Sequence, residues 1–421
     1  MCQRSERGSK SRTGGTGLRG NRLRAPGCAL VLVAALFACL SLTGSQVNAG
    51  RQAAELTVNR VKEEAWWPTS AAGSRGDFVG TQACGSCHEQ EARTQPQTSM
   101  AKAAWRAIDT EVLRAKPSLS LETAPFLTTI TRNKKGSTYA VGRGGDAMSG
   151  QVTWVMGNAT MGQTFILESN NLESRENVFE SQLSYFAAIG GLDITPGHVP
   201  GGPRDLEHAF GEPMSQETAA RCFGCHTTAS SLRRQFDPQH ATPGVTCEAC
   251  HGPGLRHVQS MSQGKIDAGK AAILNPANLN PVALVDYCGA CHRTPMDVIA
   301  AKDIVPINVR FQPYRLAKSR CWSQPDRRIT CIACHNPHEE VVRDAKFYDS
   351  KCLACHSGLA GNTKGDQPSA TVAGNKSLPV CPVKKSDCTS CHMPKYRVPQ
   401  MRGSFTDHDI RVVREGSPFP L

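Results

Sequence analysis

One short pattern recurs seven times in this chain: two cysteines separated by two residues and followed at once by a histidine. A random chain of this length and composition would contain about 0.03 copies. The repeat therefore constrains the fold more than any other feature of the sequence. The copies, numbered here as motifs 1 to 7, are Cys84-Cys87-His88, Cys222-Cys225-His226, Cys247-Cys250-His251, Cys288-Cys291-His292, Cys331-Cys334-His335, Cys352-Cys355-His356 and Cys388-Cys391-His392.

The spacing within each motif has a chemical reason. On a helical turn, residues i and i+3 share one face, so two thiols can form thioethers with the two vinyl groups of one porphyrin. The histidine that follows then reaches the iron as its proximal ligand. Zinc sites and disulfide frameworks also use paired cysteines, but neither requires a histidine after every second cysteine. The sequence therefore predicts seven covalently attached c-type haems, each with its iron.

The composition agrees with an interior that is filled partly by cofactors. Hydrophobic residues make up 39% of the 421 residues and aromatic residues only 6%. Six motifs lie between residues 222 and 392, which leaves too little chain to wrap each haem separately. We therefore expect a multihaem cytochrome c of the α+β class. Short α-helices and irregular chain would surround packed haems, and a small antiparallel β subdomain would lie beside them.

The first 49 residues have the pattern of an export signal. Seven basic residues precede an apolar run from Ala29 to Leu42, and Val47-Asn48-Ala49 offers a small-x-Ala cleavage site. The sequence therefore predicts a Sec-type signal and a periplasmic mature protein, which agrees with haem attachment outside the cytoplasm. The alternative is an N-terminus that stays uncleaved or is lipidated, and this is the one membrane contact that the sequence predicts.

The formal net charge of +12 does not indicate nucleic-acid binding. Residues 1–49 hold seven basic residues and one acidic residue, so removing them leaves +6. Two propionates and a ferric centre on each of seven haems would bring the oxidised protein to roughly −1. We therefore expect redox proteins, an electron donor and an electron acceptor, as partners, and no nucleic acid.

The long interval between motifs 1 and 2 predicts a different kind of structure. Short runs rich in β-branched and aromatic residues, separated by glycine and asparagine turns, predict a small antiparallel meander. The apolar spacing from Glu176 to Ile189 fits neither a helix nor a strand clearly. The predicted strands are Phe126 to Thr131, Ser137 to Val141, Gln151 to Met156 and Gln163 to Glu168.

These patterns divide the chain into five parts and one further surface loop, 362–376, which is rich in glycine, serine and threonine. The predicted parts are a signal peptide (1–49), a flexible lead-in (50–77), a first haem segment (78–125), a β-rich insert (126–215) and a six-haem cytochrome c domain (216–421).

The histidine count limits how the irons are ligated on their distal side. Of 13 histidines, seven follow the paired cysteines and six remain, so at least one haem lacks a distal histidine from its own chain. An open iron would be a candidate reaction site, whereas a methionine ligand would raise the potential. The distal candidates, in order of preference, are His338, His257, His408, His208, His240 and Met100, while His198 lies on a Pro-Gly loop.

Two cysteines of the predicted mature chain, Cys321 and Cys381, lie outside the motifs. In an oxidising compartment this pair predicts a disulfide.

Several segments resemble multihaem cytochromes of the c-552/c-554 family. They are Phe78-Val79-Gly80-Thr81, Gly244 to Gly254 around motif 3, Cys334-His335-Asn336-Pro337-His338, and Cys391-His392-Met393-Pro394-Lys395 with Thr406-Asp407-His408. The resemblance spans residues 78 to about 410 and implies a periplasmic electron carrier or redox module with stacked haem pairs. In that family such additional histidines serve as distal ligands, which supports His257, His338 and His408. Seven motifs depart from the four haems of the c-554 archetype.

The sequence thus favours an electron carrier that transfers single electrons through closely packed haems. The alternative is an oxidoreductase that reduces or oxidises a small nitrogen or sulfur compound at one open iron. The shortage of distal histidines motivates this alternative, and the absence of any variant motif, such as one with lysine in place of histidine, argues against it. The chain has no separate signalling domain, which argues against a redox sensor.

Overall fold

A computed structural model describes β-strands mainly in the first half of the chain and short helices mainly in the second half. The predicted signal peptide, most of the lead-in and the loop at 362–376 lie outside the described residues. The described residues are 74–169, 177–198, 202–232, 235–301, 306–319, 321–322, 329–356, 381–414 and 416–417.

An antiparallel sheet dominates the first half of this region. Its strand order is β2-β3-β4-β5-β6-β7-β8, with β1 paired to β5 and β9 paired to β7. The strands are β1 (Ala104–Arg106), β2 (Ser118–Thr123), β3 (Phe126–Asn133), β4 (Gly136–Arg143), β5 (Asp146–Met156), β6 (Gly162–Ser169), β7 (Val178–Phe186), β8 (Gly191–Ile194) and β9 (Gly211–Pro213).

Tight turns and alternating burial explain the central hairpins. Lys134 and Lys135 connect β3 to β4, and Gly144 has a φ of +61° in the turn to β5, a conformation that glycine adopts without steric cost. Buried and exposed residues alternate along β3 and β4, as expected for strands with one face toward a core. The four predicted strands are therefore present.

One face of the sheet encloses a large apolar core. Tyr139, Phe165, Leu167 and Phe210 are fully buried in it. Strands β2 and β8 lie close to each other, so the sheet curls around these side chains. The helix that carries Phe210 (Leu206–Phe210) packs against β3, β4, β5 and β7, which places its aromatic ring in the same core.

The expectation of a small β subdomain is wrong, because the sheet has nine strands. It begins at Ala104, well before the first predicted strand, and β7 occupies the region whose apolar spacing was ambiguous. The sequence pattern missed β7 because both of its faces are largely buried, so its residues do not alternate between apolar and polar. The boundaries of the predicted parts themselves stay predictions.

Short helices carry most of the rest of the chain, together with three two-stranded ribbons. The helices are α1 (Gly80–Gly85), α2 (Glu89–Thr94), α3 (Glu111–Ala115), α4 (Leu206–Phe210), α5 (Gln216–His226), α6 (Cys247–His251), α7 (Leu255–Ser262), α8 (Ile266–Ala271), α9 (Pro281–His292), α10 (Pro295–Ala301), α11 (Gln312–Leu316), α12 (Cys331–Cys334), α13 (Ala345–His356) and α14 (Cys388–His392). The ribbons are β10 (Thr227–Thr228) with β13 (Thr242–Pro243), β11 (Ser231–Leu232) with β12 (Gln235–Phe236), and β14 (Lys395–Val398) with β15 (Gly403–Thr406).

The outer face of the sheet packs against motif 2. Phe223 of α5 lies edge-on to Trp154, with ring centroids 5.0 Å apart, in a second apolar cluster that also includes Ile166 and Met214. Ser215 caps α5 by accepting a hydrogen bond from the Thr218 backbone N–H. The sheet therefore packs directly against motif 2.

Candidate functional site: seven cysteine-histidine motifs

Each motif lies in, or at the end of, a short helix. Motif 1 begins in α1, motifs 2, 4 and 6 form the last turns of α5, α9 and α13, and motifs 3, 5 and 7 lie in α6, α12 and α14. The helical turn places the two sulfurs of each motif on one side, as thioether attachment to a single porphyrin requires.

Backbone carbonyls fix the orientation of several proximal imidazoles. The Nδ1 of His226 lies 2.9 Å from the carbonyl oxygen of Ala103, and the Nδ1 of His251 lies 2.8 Å from that of Leu274. The Nδ1 of His392 makes the same contact to a backbone carbonyl at 3.0 Å. Because a carbonyl oxygen only accepts, Nδ1 carries the proton and Nε2 presents its lone pair to a metal.

Burial favours the neutral form of four proximal imidazoles. It lowers the pKa of His226, His251, His292 and His335. A neutral imidazole is the form that binds iron, because the protonated ring has no lone pair to donate.

Three spare histidines lie opposite proximal ones. The ring centroids of His88 and His257 are 6.3 Å apart with the rings 28° from parallel. Those of His251 and His338 are 6.0 Å apart at 9°. His335 faces His408 at 6.3 Å and 39° in the same manner. The three preferred distal candidates therefore each lie against a different motif: 1, 3 and 5.

These separations match a metal ion held between two imidazoles. A metal–nitrogen bond of about 2.0 Å, with the ring centroid about 1.2 Å behind the nitrogen, places two axial rings about 6.4 Å apart. The distal rings are also anchored at Nδ1, since His257 contacts the Gly269 carbonyl at 2.9 Å and His408 the Thr406 carbonyl at 3.0 Å. The geometry fits bis-histidine haem iron in motifs 1, 3 and 5, and the ligation itself stays a prediction.

The other three spare histidines make different contacts. His208 and His240 contact the carboxylates of Asp205 and Asp237 three residues before them. His198 is buried, with its Nδ1 2.7 Å from Gln182 Oε1 and its Nε2 3.3 Å from Glu180 Oε2. In the described residues, which include all 13 histidines, none of these three rings lies opposite a proximal one.

Met100 was predicted as a distal candidate for motif 1, where the structure places His257 instead. The backbone of Met100 joins the motif 1 segment to motif 3, because its carbonyl oxygen accepts a 3.0 Å hydrogen bond from the Val245 N–H. This backbone contact does not test the predicted role of Met100 as a haem ligand.

First cysteines meet in three pairs. The thiols of Cys84 and Cys247 hydrogen-bond, which lowers the pKa of Cys247 to about 6 and raises that of Cys84. Cys331 hydrogen-bonds to Cys288, so motifs 4 and 5 adjoin in the same way. Cys352 and Cys388 also hydrogen-bond, and this joins motifs 6 and 7. The motifs therefore pack as pairs 1/3, 4/5 and 6/7.

Further contacts connect the pairs into one line. The Tyr287 hydroxyl of α9 donates to the Cys250 carbonyl, which joins motifs 3 and 4. Helices α12 and α13 touch, which joins motifs 5 and 6. Motif 2 meets the line at motif 4, since α5 touches α9 and the Cys225 thiol lies 3.7 Å from the Ala290 carbonyl oxygen. The order in space is therefore 1-3-4-5-6-7, with motif 2 beside motif 4.

At each end of this line, a buried carboxylate of one motif hydrogen-bonds to the backbone of the adjacent motif. Glu248, inside motif 3, accepts hydrogen bonds of 2.8 Å from the Val79 and Gly80 N–H groups at the start of α1. Asp349, just before motif 6, accepts bonds of 2.7 and 2.8 Å from the Asp387 and Cys388 N–H groups at the start of α14. These backbone donors hold the pKa of Asp349 below its usual range. The same interaction, a carboxylate that accepts two backbone N–H bonds, therefore joins the motifs of pairs 1/3 and 6/7.

A buried ion pair positions the distal histidine of motif 5. The Arg315 guanidinium donates to both oxygens of Asp407, at 2.8 and 3.0 Å, and both side chains are fully buried. Arg411 donates to the same carboxylate at 2.7 Å. Because Asp407 directly precedes His408, the pair fixes the backbone that carries that ring.

Sequence reasoning missed these carboxylates and this arginine. Glu248 could have been noticed because an acidic residue between two haem-binding cysteines has no role in attachment. Asp407 could have been noticed because it directly precedes the ligand candidate His408. Cys321, one half of the predicted disulfide, lies within electrostatic range of Cys352. Its pairing with Cys381 stays a prediction.

One buried hydrogen-bond donor near motif 2 has no acceptor among the described residues. The Nε of Arg310 is buried without a hydrogen-bond partner, and Arg310 lies near enough to His226 to lower that residue's pKa in addition to the main effect of burial. A haem propionate or a bound anion beside motif 2 would satisfy this donor.

Comparisons with known proteins agree with this chemistry. Residues 204–252 match the family model "Cytochrome c554 and c-prime". The multiheme cytochrome MtrA of Shewanella baltica is 23% identical over 197 residues, which cover 37% of this chain and 58% of that protein. The high-molecular-weight cytochrome c of Nitratidesulfovibrio vulgaris is 26% identical over 175 residues, covering 36% and 29%. These matches support a multihaem c-type cytochrome.

The matches extend over only part of each relative, between 29% and 58% of its length. Among solved structures, the outer cell wall cytochrome OcwA aligns with 80% of this chain and 80% of its own, at 16% identity and a TM-score of 0.43. Across the ranges that the structure describes, no helix has the length and apolar character needed to cross a membrane.

Proposed function

We propose that this chain is a periplasmic multihaem c-type cytochrome that transfers single electrons between redox partners through seven covalently bound haems. The observation that carries the proposal is the line of touching motifs, 1-3-4-5-6-7, with motif 2 beside motif 4. Cysteines that meet directly bring their haems side by side, and closely spaced one-electron sites pass electrons along.

The chain's own residues hold and tune these sites. Fourteen cysteines provide thioether attachment, seven histidines provide proximal ligands, and His257, His338 and His408 provide distal ligands in motifs 1, 3 and 5. Each haem supplies a reversible change between ferric and ferrous iron. The carbonyl partners at Nδ1 make the imidazoles stronger donors, and burial excludes water, so both features set the potentials.

Exposure indicates where partners would meet the line. The motif cysteines that are exposed to solvent are Cys87, Cys355 and Cys391, which belong to motifs 1, 6 and 7. These motifs lie at the two ends of the line, whereas His226 and His292 in the middle are buried deeply enough to lower their pKa values. We infer that donor and acceptor proteins dock at opposite ends.

The haem content and the connectivity can be tested together. The protein, produced with a haem-attachment system, should contain seven haems by pyridine haemochrome assay and intact mass. Cys288→Ala with Cys291→Ala should remove one haem from the middle and leave part of the remaining haem slow to reduce by a donor protein. Cys388→Ala with Cys391→Ala removes one haem from an end and is the comparison, since a small chemical reductant should then reduce all the remaining haems together, with none cut off from the line. A colourless wild-type protein would refute the proposal.

A second function is favoured by the ligand count. Three spare histidines lie opposite proximal ones, and no described ring lies opposite the proximal histidines of motifs 2, 4 and 7. We therefore keep an oxidoreductase that acts on a small nitrogen or sulfur compound as the second candidate. High-spin iron and binding of carbon monoxide by the reduced protein would support it.

A further inference from the structure

The distal histidine opposite motif 3 comes from the segment that follows motif 5. His338 lies three residues after His335, and its ring centroid is 6.0 Å from that of His251, with the two rings at 9°. The two other distal histidines are anchored at Nδ1 by backbone carbonyls. Among the described residues, no hydrogen bond reaches a ring nitrogen of His338, so its ring is oriented through the chain that carries it.

Two residues beyond His338, the Glu340 carboxylate binds Ser99 in the segment after motif 1. Its Oε2 accepts a 2.6 Å hydrogen bond from the Ser99 backbone N–H, and its Oε1 accepts a 2.8 Å hydrogen bond from the Ser99 hydroxyl. Hydrogen bonds to a charged acceptor are roughly twice as strong as those between neutral groups. Two residues of extended chain span at most about 7 Å, so this contact restrains the backbone that carries the His338 ring.

The sheet fixes Ser99 in turn. The side-chain amide of Asn158, in the turn between β5 and β6, donates a 3.1 Å hydrogen bond to the Ser99 hydroxyl oxygen. The amide oxygen of Asn158 accepts a 3.0 Å hydrogen bond from the Thr160 N–H, which orients the amide nitrogen toward Ser99. A chain of hydrogen bonds therefore runs from the β5–β6 turn through Ser99 to Glu340.

The residue next to Ser99 holds the proximal side of the same motif. The Met100 carbonyl oxygen accepts a 3.0 Å hydrogen bond from the Val245 N–H, two residues before Cys247 begins α6. Helix α6 ends with His251, the predicted proximal ligand of motif 3. Ser99 and Met100 together therefore hold the helix that carries the proximal ring and the segment that carries the distal ring. Two adjacent residues thus set the separation of the two imidazoles.

We propose that Glu340 is a positioning residue for the distal ligand of motif 3, and that its contact with Ser99 keeps the His338 ring at the iron. Without this contact the ring would leave the iron more often, and the sixth position would open to small ligands. The inference rests on the proposed function, because it requires a haem in motif 3 with His251 and His338 as axial ligands. Glu340 is exposed and lies in neither apolar cluster, so its substitution should leave the fold intact.

The test uses the reduced seven-haem protein with carbon monoxide, which binds ferrous iron wherever the sixth position is free. His338→Ala defines the signal, since it should open one haem more than the wild type and add its amplitude to the carbon monoxide difference spectrum. Glu340→Ala should raise the carbon monoxide affinity of that same haem about tenfold over the wild type. The apparent affinity follows the open fraction, which grows when two hydrogen bonds to a charged acceptor are lost.

Glu339→Ala is the matched control for the loss of charge. It removes a carboxylate from an exposed residue one position nearer to His338, and this side chain makes no hydrogen bond or ion pair within the described ranges. The carbon monoxide affinity should change by less than about twofold, because an exposed charge without a partner interacts weakly. Glu340→Gln keeps an acceptor oxygen and should give an affinity between those of Glu340→Ala and the wild type.

Ser99→Ala tests whether Glu340 acts through Ser99. This variant loses the hydroxyl and keeps the backbone N–H, so its effect should be smaller than that of Glu340→Ala. The double variant should match Glu340→Ala alone, because both substitutions remove the same contact. Effects that add in full would overturn the proposed route, since Glu340 would then act through another group.

Two further results would overturn the inference and leave the electron-carrier proposal intact. One is a seven-haem Glu340→Ala protein that binds carbon monoxide as Glu339→Ala does, because the contact with Ser99 would then have no effect on the ligand. The other is a His338→Ala protein that opens no additional haem, because His338 would then not be the sixth ligand of motif 3. A wild-type protein without any haem would refute the proposed function itself.

Discussion

The curled sheet and the motif-bearing helices are stabilised in different ways. The sheet buries a continuous set of large side chains, with Tyr139, Phe165 and Leu167 fully inaccessible to solvent. Helices α12 and α14 are four and five residues long, and none of their residues is buried. Helices this short are not stable alone, so something else must hold them. From this difference we expect that apolar side chains order the first region and covalently attached haems order the second.

Production of the full chain without a haem-attachment system should separate the two regions most strongly. We expect the amides of β4 to β7 to stay protected from hydrogen exchange, because their core needs only side chains. The amides of α12, α13 and α14 should exchange freely. Hydrogen-exchange mass spectrometry on the haem-free and haem-loaded proteins would measure this. Equal protection of residues 331–356 in both would contradict the comparison.

Arg315→Met should have the next largest effect, because it leaves the buried carboxylate of Asp407 with one cation fewer. Breaking a buried ion pair costs about 3–5 kcal/mol, measured as the free energy of unfolding in guanidinium chloride. The spin state of one haem should also change, since His408 would lose its support. Arg402→Met, which removes an exposed pair with Asp193, is the control and should cost no more than about 1 kcal/mol.

A cavity in the core of the sheet should lower the free energy of unfolding without changing the haem absorbance spectrum. Leu167→Ala removes a fully buried side chain and should cost about 2–5 kcal/mol of unfolding free energy. The visible absorbance bands of the folded variant should match those of the wild type. A shift in those bands would show that the core of the sheet and the motifs are coupled, which is contrary to the comparison.

The smallest effect concerns the cap of α4. Hydrogen bonds from the His208 backbone and ring lower the pKa of Asp205 below its unfolded value. The cap therefore stabilises the fold above about pH 4, where the unfolded carboxyl is already ionised, and this contribution is lost as the pH falls through the folded pKa. Asp205→Asn keeps a capping side chain but should remove this part of the acid dependence of the melting temperature.

The sequence predicts well the features whose residue spacing is set by haem attachment. It predicts less well the features that depend on side-chain packing. The Cys-x-x-Cys-His pattern identifies the seven motifs, and the family resemblance supports His257, His338 and His408 as distal candidates. Their partners could not be predicted, because each lies opposite a motif distant in sequence, such as His408 against His335. The extent of the sheet was underestimated, since β7 lacks alternation and β1 is three residues long.

The carboxylates of Glu248 and Asp349 have a consequence for how such chains diverge. Each accepts hydrogen bonds from two backbone N–H groups of its partner motif, at Val79 and Gly80 in one case and at Asp387 and Cys388 in the other. Main-chain donors are present whatever the residue type, proline excepted. Side-chain changes in the receiving segment therefore leave these two hydrogen bonds in place, and relatives that share this contact would be recognised from the acidic side alone.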